Sequence, residues 1–169
     1  MFPQSFVFLF VFLVVFYDSE AQKVDIDRYQ VYHQKLTWRD AAKFCKARDS
    51  KLAEILTYEQ QKDLRTYIRQ HHFLPKDTES GYWLGGRLKD RFWRWDATGE
   101  NPRAINHFMA GWHYGEPDRK FKDDVPQECM ELQYRADSEF TQALSWNDIW
   151  CDELRNVICE SWNHNPAPN

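Results

Sequence analysis

Between Thr37 and Ser50, apolar residues recur with helical spacing. Trp38, Ala41, Ala42 and Cys45 stand at i, i+3, i+4 and i+7, so they share one face of a helix. Thr37 precedes them as an N-cap. A cysteine on the inner face predicts a covalent tie between this helix and a distant segment. "LAEI", Leu52 to Ile55, has the alternation of a short strand, and "TYEQQKDLRTYIRQHH" predicts a second helix. Thr57 and Gln60 form a capping-box pair, and Leu64, Tyr67, Ile68 and His71 make the inner face. After Pro75 the texture changes. "YWLGGRL", "RFWRW", "CMELQ", "ALSW" and "NVICE" are short apolar-aromatic runs separated by turn residues, which predicts strands of a twisted, mostly antiparallel sheet. Helices followed by strands give an α+β class. From about Asn101 to Gln127 little is periodic, yet Trp112 and Tyr114 sit there, and a long aromatic-bearing loop is usually ordered by something. The tail "NHNPAPN" is expected to fray.

The N-terminal end stands outside this pattern. "SFVFLFVFLVVF", Ser5 to Phe16, is almost wholly apolar and short for a membrane span, and "SEA" at Ser19 to Ala21 offers small residues for cleavage. Residues 1–21 are therefore expected to be a secretory signal peptide, with 22–169 a single secreted domain. The alternative is a short membrane anchor. The remaining residues carry 22 basic against 24 acidic side chains, so charge gives no general reason to expect nucleic acid as a partner. Four cysteines, Cys45, Cys129, Cys151 and Cys159, behind such a leader imply two disulfides. Spacing leaves all three pairings open. No pair has the short Cys-x-x-Cys spacing usual in structural zinc sites.

The acids of the second half change the picture most. Glu116 and Asp118 flank Pro117 in "WHYGEPDRKF"; Asp123, Asp124 and Glu128 follow, and "SWNDIWC" adds Asn147 and Asp148. Like charges so close repel and raise each other's pKa. A divalent cation between them removes that penalty, and hard oxygen donors in this number suit calcium. A cis bond before Pro117 would turn both side chains toward one point. The competing explanation is a solvated acidic loop balanced by Arg119, Lys120 and Lys122. His71, His72, His107 and His113 have no nucleophile partnered with them, and carboxylates one residue apart do not flank a scissile glycosidic bond. The chain is expected not to be an enzyme.

With those motifs in place, the chain from about Tyr29 to Trp162 resembles the C-type lectin-like domains. "YHQKLTWRDAAKFCKARDSKLAEI" resembles the family's first helix and strand, "YWLGG" its central strand, and "RFWRWDATGE" the aromatic strand that follows. "WHYGEPD" resembles its long-loop sugar motif and "SWNDIWCDELRNVICE" its closing motif. The resemblance implies Cys45–Cys159 and Cys129–Cys151 disulfides. It implies one calcium held by Glu116, Asp118, Asn147, Asp148 and an acid between the two motifs. Asp124 is favoured for that place, with Asp123 and Glu128 as rivals. In sugar-binding members the calcium and the same side chains also hold two neighbouring sugar hydroxyls, so Glu116, Asp118, Asn147 and Asp148 are the expected carbohydrate ligands. The implied role is a secreted, calcium-dependent lectin for glycans on glycoproteins or microbial surfaces, in innate immunity or adhesion. Nothing in the sequence demands an oligomer.

Three departures qualify this. Family members with Glu-Pro-Asn tend to take mannose-type sugars and those with Gln-Pro-Asp galactose-type. Here both residues are carboxylates, which accept but do not donate, so the motif lacks one donor to the sugar. Asn147 offers a donor, and Arg119 or Lys120 is a candidate for another. Glu116 to Cys129 is a few residues longer than usual. "GGRLKD" contributes only Asp90 where an auxiliary calcium site finds several acids, so that site is expected to be absent or weak. A different class of function, a protein-interaction module whose calcium only orders the loop, fits the same motifs.

Overall fold

Capping and face periodicity explain both helices. The structure, a computed structural model, describes residues 28–71, 81–96, 102–105, 111–135 and 144–162. Helix α1, Trp38–Lys46, begins where the Thr37 hydroxyl accepts the Asp40 N–H at 3.3 Å. Its Trp38, Ala41 and Cys45 are buried. Helix α2, Tyr58–His71, opens with a reciprocal box: Gln60 N–H donates to Thr57 Oγ1 at 3.1 Å, and Thr57 N–H to Gln60 Oε1 at 3.2 Å. Leu64 and Ile68 are buried as expected, and Gln61 joins them. His71 does not: it lies exposed on the last turn, its ring 5.2 Å from that of Tyr67.

The strands are β1 (Tyr29–Leu36), β2 (Ser50–Leu52), β3 (Gly81–Lys89), β4 (Phe92–Trp95), β5 (Arg103–Ala104), β6 (Phe121–Lys122), β7 (Val125–Pro126), β8 (Cys129–Tyr134), β9 (Leu144–Ile149) and β10 (Arg155–Ser161). The main sheet runs β1-β10-β3-β4-β5, with β2 on β10, and β8 joining β3 to β9. Its pairs are antiparallel except β10 with β3. An α+β fold of two helices and a mostly antiparallel sheet is thus observed. The strand expected at Leu52–Ile55 lies earlier, at Ser50–Leu52. Its ladder partners on β10 are Ser161, Glu160 and Cys159, and Ala53 leaves the ladder to bridge Ile158 and Gly85.

Disulfides Cys45–Cys159 and Cys129–Cys151 form as the resemblance implied. The first ties α1 to β10 and sits in a core with Trp38, Leu52, Trp83 and Val157. A second core gathers Leu64 and Ile68 of α2 with Tyr82, Trp95, Leu132 and Trp146 of the sheet. The expected leader, His72, His107 and the tail lie outside the described residues.

Candidate metal and ligand site

The loop that carries Glu116 is laid onto β9 by backbone and indoles. Trp146 N–H donates to Gly111 O at 2.7 Å, and His113 N–H to Trp146 O at 2.9 Å. The Trp112 ring meets Trp93 and Trp146 edge-on, with centroids 5.0 and 5.9 Å away. Gly115, at φ +87°, makes the bend that a side chain would strain. The chain then reaches Glu116 and Pro117, whose shared peptide is cis.

Asp148 receives this loop. Its Oδ1 accepts the Asp118 N–H at 3.1 Å and its Oδ2 the Arg119 N–H at 2.9 Å, while the residue is wholly buried. Asp118 N–H also donates to Glu116 Oε2 at 3.2 Å. Carboxylate oxygens of Glu116, Asp118 and Asp148 therefore lie within 4.8 Å of one another. Burial, then the neighbouring charges of Glu116 and Asp118, push the Asp148 carboxyl up to about 6, against the pull of the two N–H bonds.

Asn147 stands beside Asp148 on β9, across the ladder from Glu131. Its Nδ2 donates to Glu131 Oε1 at 2.9 Å. Arg155 Nε binds the other Glu131 oxygen at 2.6 Å. Burial raises the Glu131 carboxyl above the usual range, opposed by Arg155 and Asn147. A Cβ at Gly81 would fall 2.0 Å from Glu131 Oε2, so only glycine leaves this carboxylate its place.

Two cations approach the acid group. Arg135 Nη2 donates to Glu116 Oε1 at 3.0 Å and to Asn147 Oδ1 at 3.4 Å. Lys120 Nζ stands 2.7 Å from Asp118 Oδ2, which raises the lysine pKa. The structure does not bring Asp124 to the cluster. Asp123 and Asp124 have left-handed φ of 51° and 64° and form the exposed tip of the β6–β7 hairpin, a turn that tolerates aspartate. Glu128 faces Arg87 at 3.9 Å instead. Between the motifs, Gln127 is the residue held at the loop base: it is buried, and its Oε1 accepts the Lys120 N–H at 3.1 Å. A search for acids passes over an amide. Asp90 occupies the β3–β4 turn at φ 50°, exposed.

Three carboxylates held this close fit a hard divalent cation such as calcium, with the amide oxygens of Asn147 and Gln127 as nearby neutral donors. Among the described residues no helix is long and apolar enough to cross a membrane.

Comparison with known proteins agrees with this fold. The family model for the lectin C-type domain matches residues 34–161. L-selectin of Mus musculus is 27% identical over 140 residues, 82% of this chain and 33% of its own. E-selectin of Canis lupus familiaris is 25% identical over 131 residues, 78% of this chain and 19% of its own. The chain thus spans a third or less of these two selectins. The C-type lectin BpLec of Bothrops pauloensis is 25% identical over 134 residues, 78% of this chain and 87% of its own. The solved carbohydrate-recognition domain of the mouse scavenger receptor C-type lectin superposes with TM-score 0.60 at 24% identity, covering 79% of this chain and 88% of that one. The domain of murine dendritic cell inhibitory receptor 2, solved in complex with an N-glycan, gives 0.58 at 22% identity, covering 78% and 87%.

Proposed function

The chain belongs to the C-type lectin domain family, and from that premise we propose that it is a secreted receptor that binds glycans through a calcium ion. A carbohydrate-binding, non-enzymatic kind of function goes with the family and its lectin relatives. One observation carries the calcium-dependent form: the Glu116, Asp118 and Asp148 oxygens converge within 4.8 Å at the end of a loop clamped by Asp148. Calcium, when bound there, supplies positive charge and open coordination positions for sugar hydroxyls. Glu116, Asp118, Asn147 and Asp148 would hold it. Asp148 also fixes the loop backbone, and Glu131 fixes the rotamer of Asn147. The partners are glycans on glycoproteins or microbial surfaces, in innate recognition or adhesion.

A protein-interaction module is favoured by one observation. Arg135 and Lys120 already pair with Glu116 and Asp118, so calcium could order the loop without a sugar. The two functions separate on columns of immobilised mannose, galactose and a sulfated glycan. A lectin is retained with calcium, released by EDTA, and lost in the Asn147→Ala, Asp148→Ala variant. Flow-through on every column, with calcium still stabilising the protein, would overturn the glycan reading.

A further inference from the structure

Both side chains of the Glu-Pro-Asp motif are carboxylates, so the motif itself has no donor to offer a sugar hydroxyl. Asn147 spends one of its two Nδ2 hydrogens on Glu131 Oε1 at 2.9 Å and keeps a single neutral donor, which carries no charge to match an anion. Arg119 directs its Nη2 to Arg91 O, at 3.4 Å in the β3–β4 turn. Lys120 pairs with Asp118 as a point charge on a largely exposed side chain and has no fixed fork to present. Arg135, just past β8, is the cation that reaches both Glu116 and Asn147. Gln133 Oε1 accepts its Nε–H at 2.6 Å, which aims the guanidinium, and the side chain keeps 30% of its surface open.

Charge then decides what such a donor selects. Three carboxylates face two cations, a deficit of one positive charge. Adding a divalent ion reverses the balance to an excess of one positive charge. With calcium taking over Glu116 and Asp118, Arg135 and Lys120 both lose their carboxylate partners, and of the two only the Arg135 guanidinium offers a planar fork beside Asn147. An arginine in that state pairs best with a planar or tetrahedral anion.

We propose that Arg135 is the specificity-determining residue of this site, and that it selects sugars bearing a carboxylate or sulfate beside the coordinated hydroxyls. This rests on the calcium-dependent glycan reading above. Arg135 also competes with calcium for Glu116, so its loss tightens metal binding while removing the preference for anions.

The test compares sugars that differ only at C6. Methyl glucoside is set against its uronate and 6-sulfate, and methyl galactoside likewise, by calorimetry on the purified protein with saturating calcium. In the preferred series the uronate or the 6-sulfate binds about tenfold or more tightly than the neutral parent, the low end for one hydrogen bond to a charged group. The two anions distinguish carboxylate from sulfate recognition. In Arg135→Gln the preference disappears, the neutral parent still binds, and calcium binds severalfold tighter; a merely structural arginine would weaken calcium instead. Lys35→Gln, which removes an exposed charge on β1, keeps the preference. Equal or better binding of the neutral parents by the wild-type protein overturns the role of Arg135 and leaves the lectin reading standing. Binding of none of the six, with calcium bound, overturns both. The wild-type comparison decides even if Arg135→Gln does not fold.

Discussion

Glu160 and Asp148 are both buried carboxylates of one sheet, on strands separated by β3 and β8, and the chain treats them differently. Glu160, on β10, is met by cations. Arg28 binds it through Nε, at 3.0 Å, and through Nη2, and Lys51 stands 4.0 Å away while holding Glu54 at 2.8 Å. Arg103 closes the group on Glu54 at 2.7 Å. Three cations surround two acids, and Glu54 N–H fills the remaining Glu160 oxygen at 2.8 Å. Asp148 receives two backbone N–H groups and faces two more carboxylates. Where the fold needs a buried acid for structure, the chain supplies its own counter-charge. At Asp148 the negative charge is left in excess, which is the signature of a place for something from outside.

The largest effect should break the first region. Glu160→Ala leaves Arg28 buried beside an empty place and the Glu54 N–H unpaired. It should cost about 3–5 kcal/mol in urea denaturation, the usual loss when one partner of a buried pair is removed. The folded fraction should bind calcium as the wild type does. A loss below about 1 kcal/mol would erase the contrast between the two regions.

Calcium should act only on the second region. At a hundredfold excess over its Kd it should raise unfolding stability by about 2.7 kcal/mol. Glu160→Ala should keep that increment and Asp148→Asn should lose it; a melt that shows it unchanged in Asp148→Asn would move the ion elsewhere.

Acidity sharpens the same point. The folded Asp148 carboxyl titrates near 6, above its ordinary 3.8. Its neutral form therefore suits the metal-free fold. That contribution is fully present below about pH 4 and is lost as pH rises through 6. Metal-free stability should fall across that window. Calcium needs the ionised form, so its affinity should run the opposite way, dropping about tenfold from pH 7 to pH 5 through Asp148 alone. Calorimetric titrations at the two values check this, and equal affinities would contradict it. The smallest effect is that of Asp148→Asn on the metal-free protein, a loss of about 1–2 kcal/mol: the amide keeps one acceptor and sheds a repelled charge, but its NH2 leaves the other loop N–H unpaired.

Local rules made much of this fold legible. The Thr57–Gln60 box and the Trp38, Ala41, Cys45 face follow from spacing within one turn or two. Strand β1 was not legible: only Tyr29 of its eight residues is fully buried, and its place is set by β10, far along the chain. The acids of the site could be read because Glu116 and Asp118, and Asn147 and Asp148, are sequence neighbours. Their surroundings could not. Arg135 meets Glu116 only through the loop's descent onto β9, and Glu131 meets Asn147 only through the β8–β9 register. Asp124 shows the converse failure, since chemistry suggested a ligand where a turn needed a residue that tolerates left-handed φ.

The central claim is that Glu116, Asp118 and Asp148 form one calcium site. Calorimetric titration of calcium into the wild-type protein and into Asp148→Asn tests it most directly. Saturation at one ion per chain, with affinity reduced about a hundredfold or more in the variant, is the predicted result, the loss expected when one anionic ligand of a calcium site is neutralised. No binding by the wild type, or equal binding by both proteins, would contradict it.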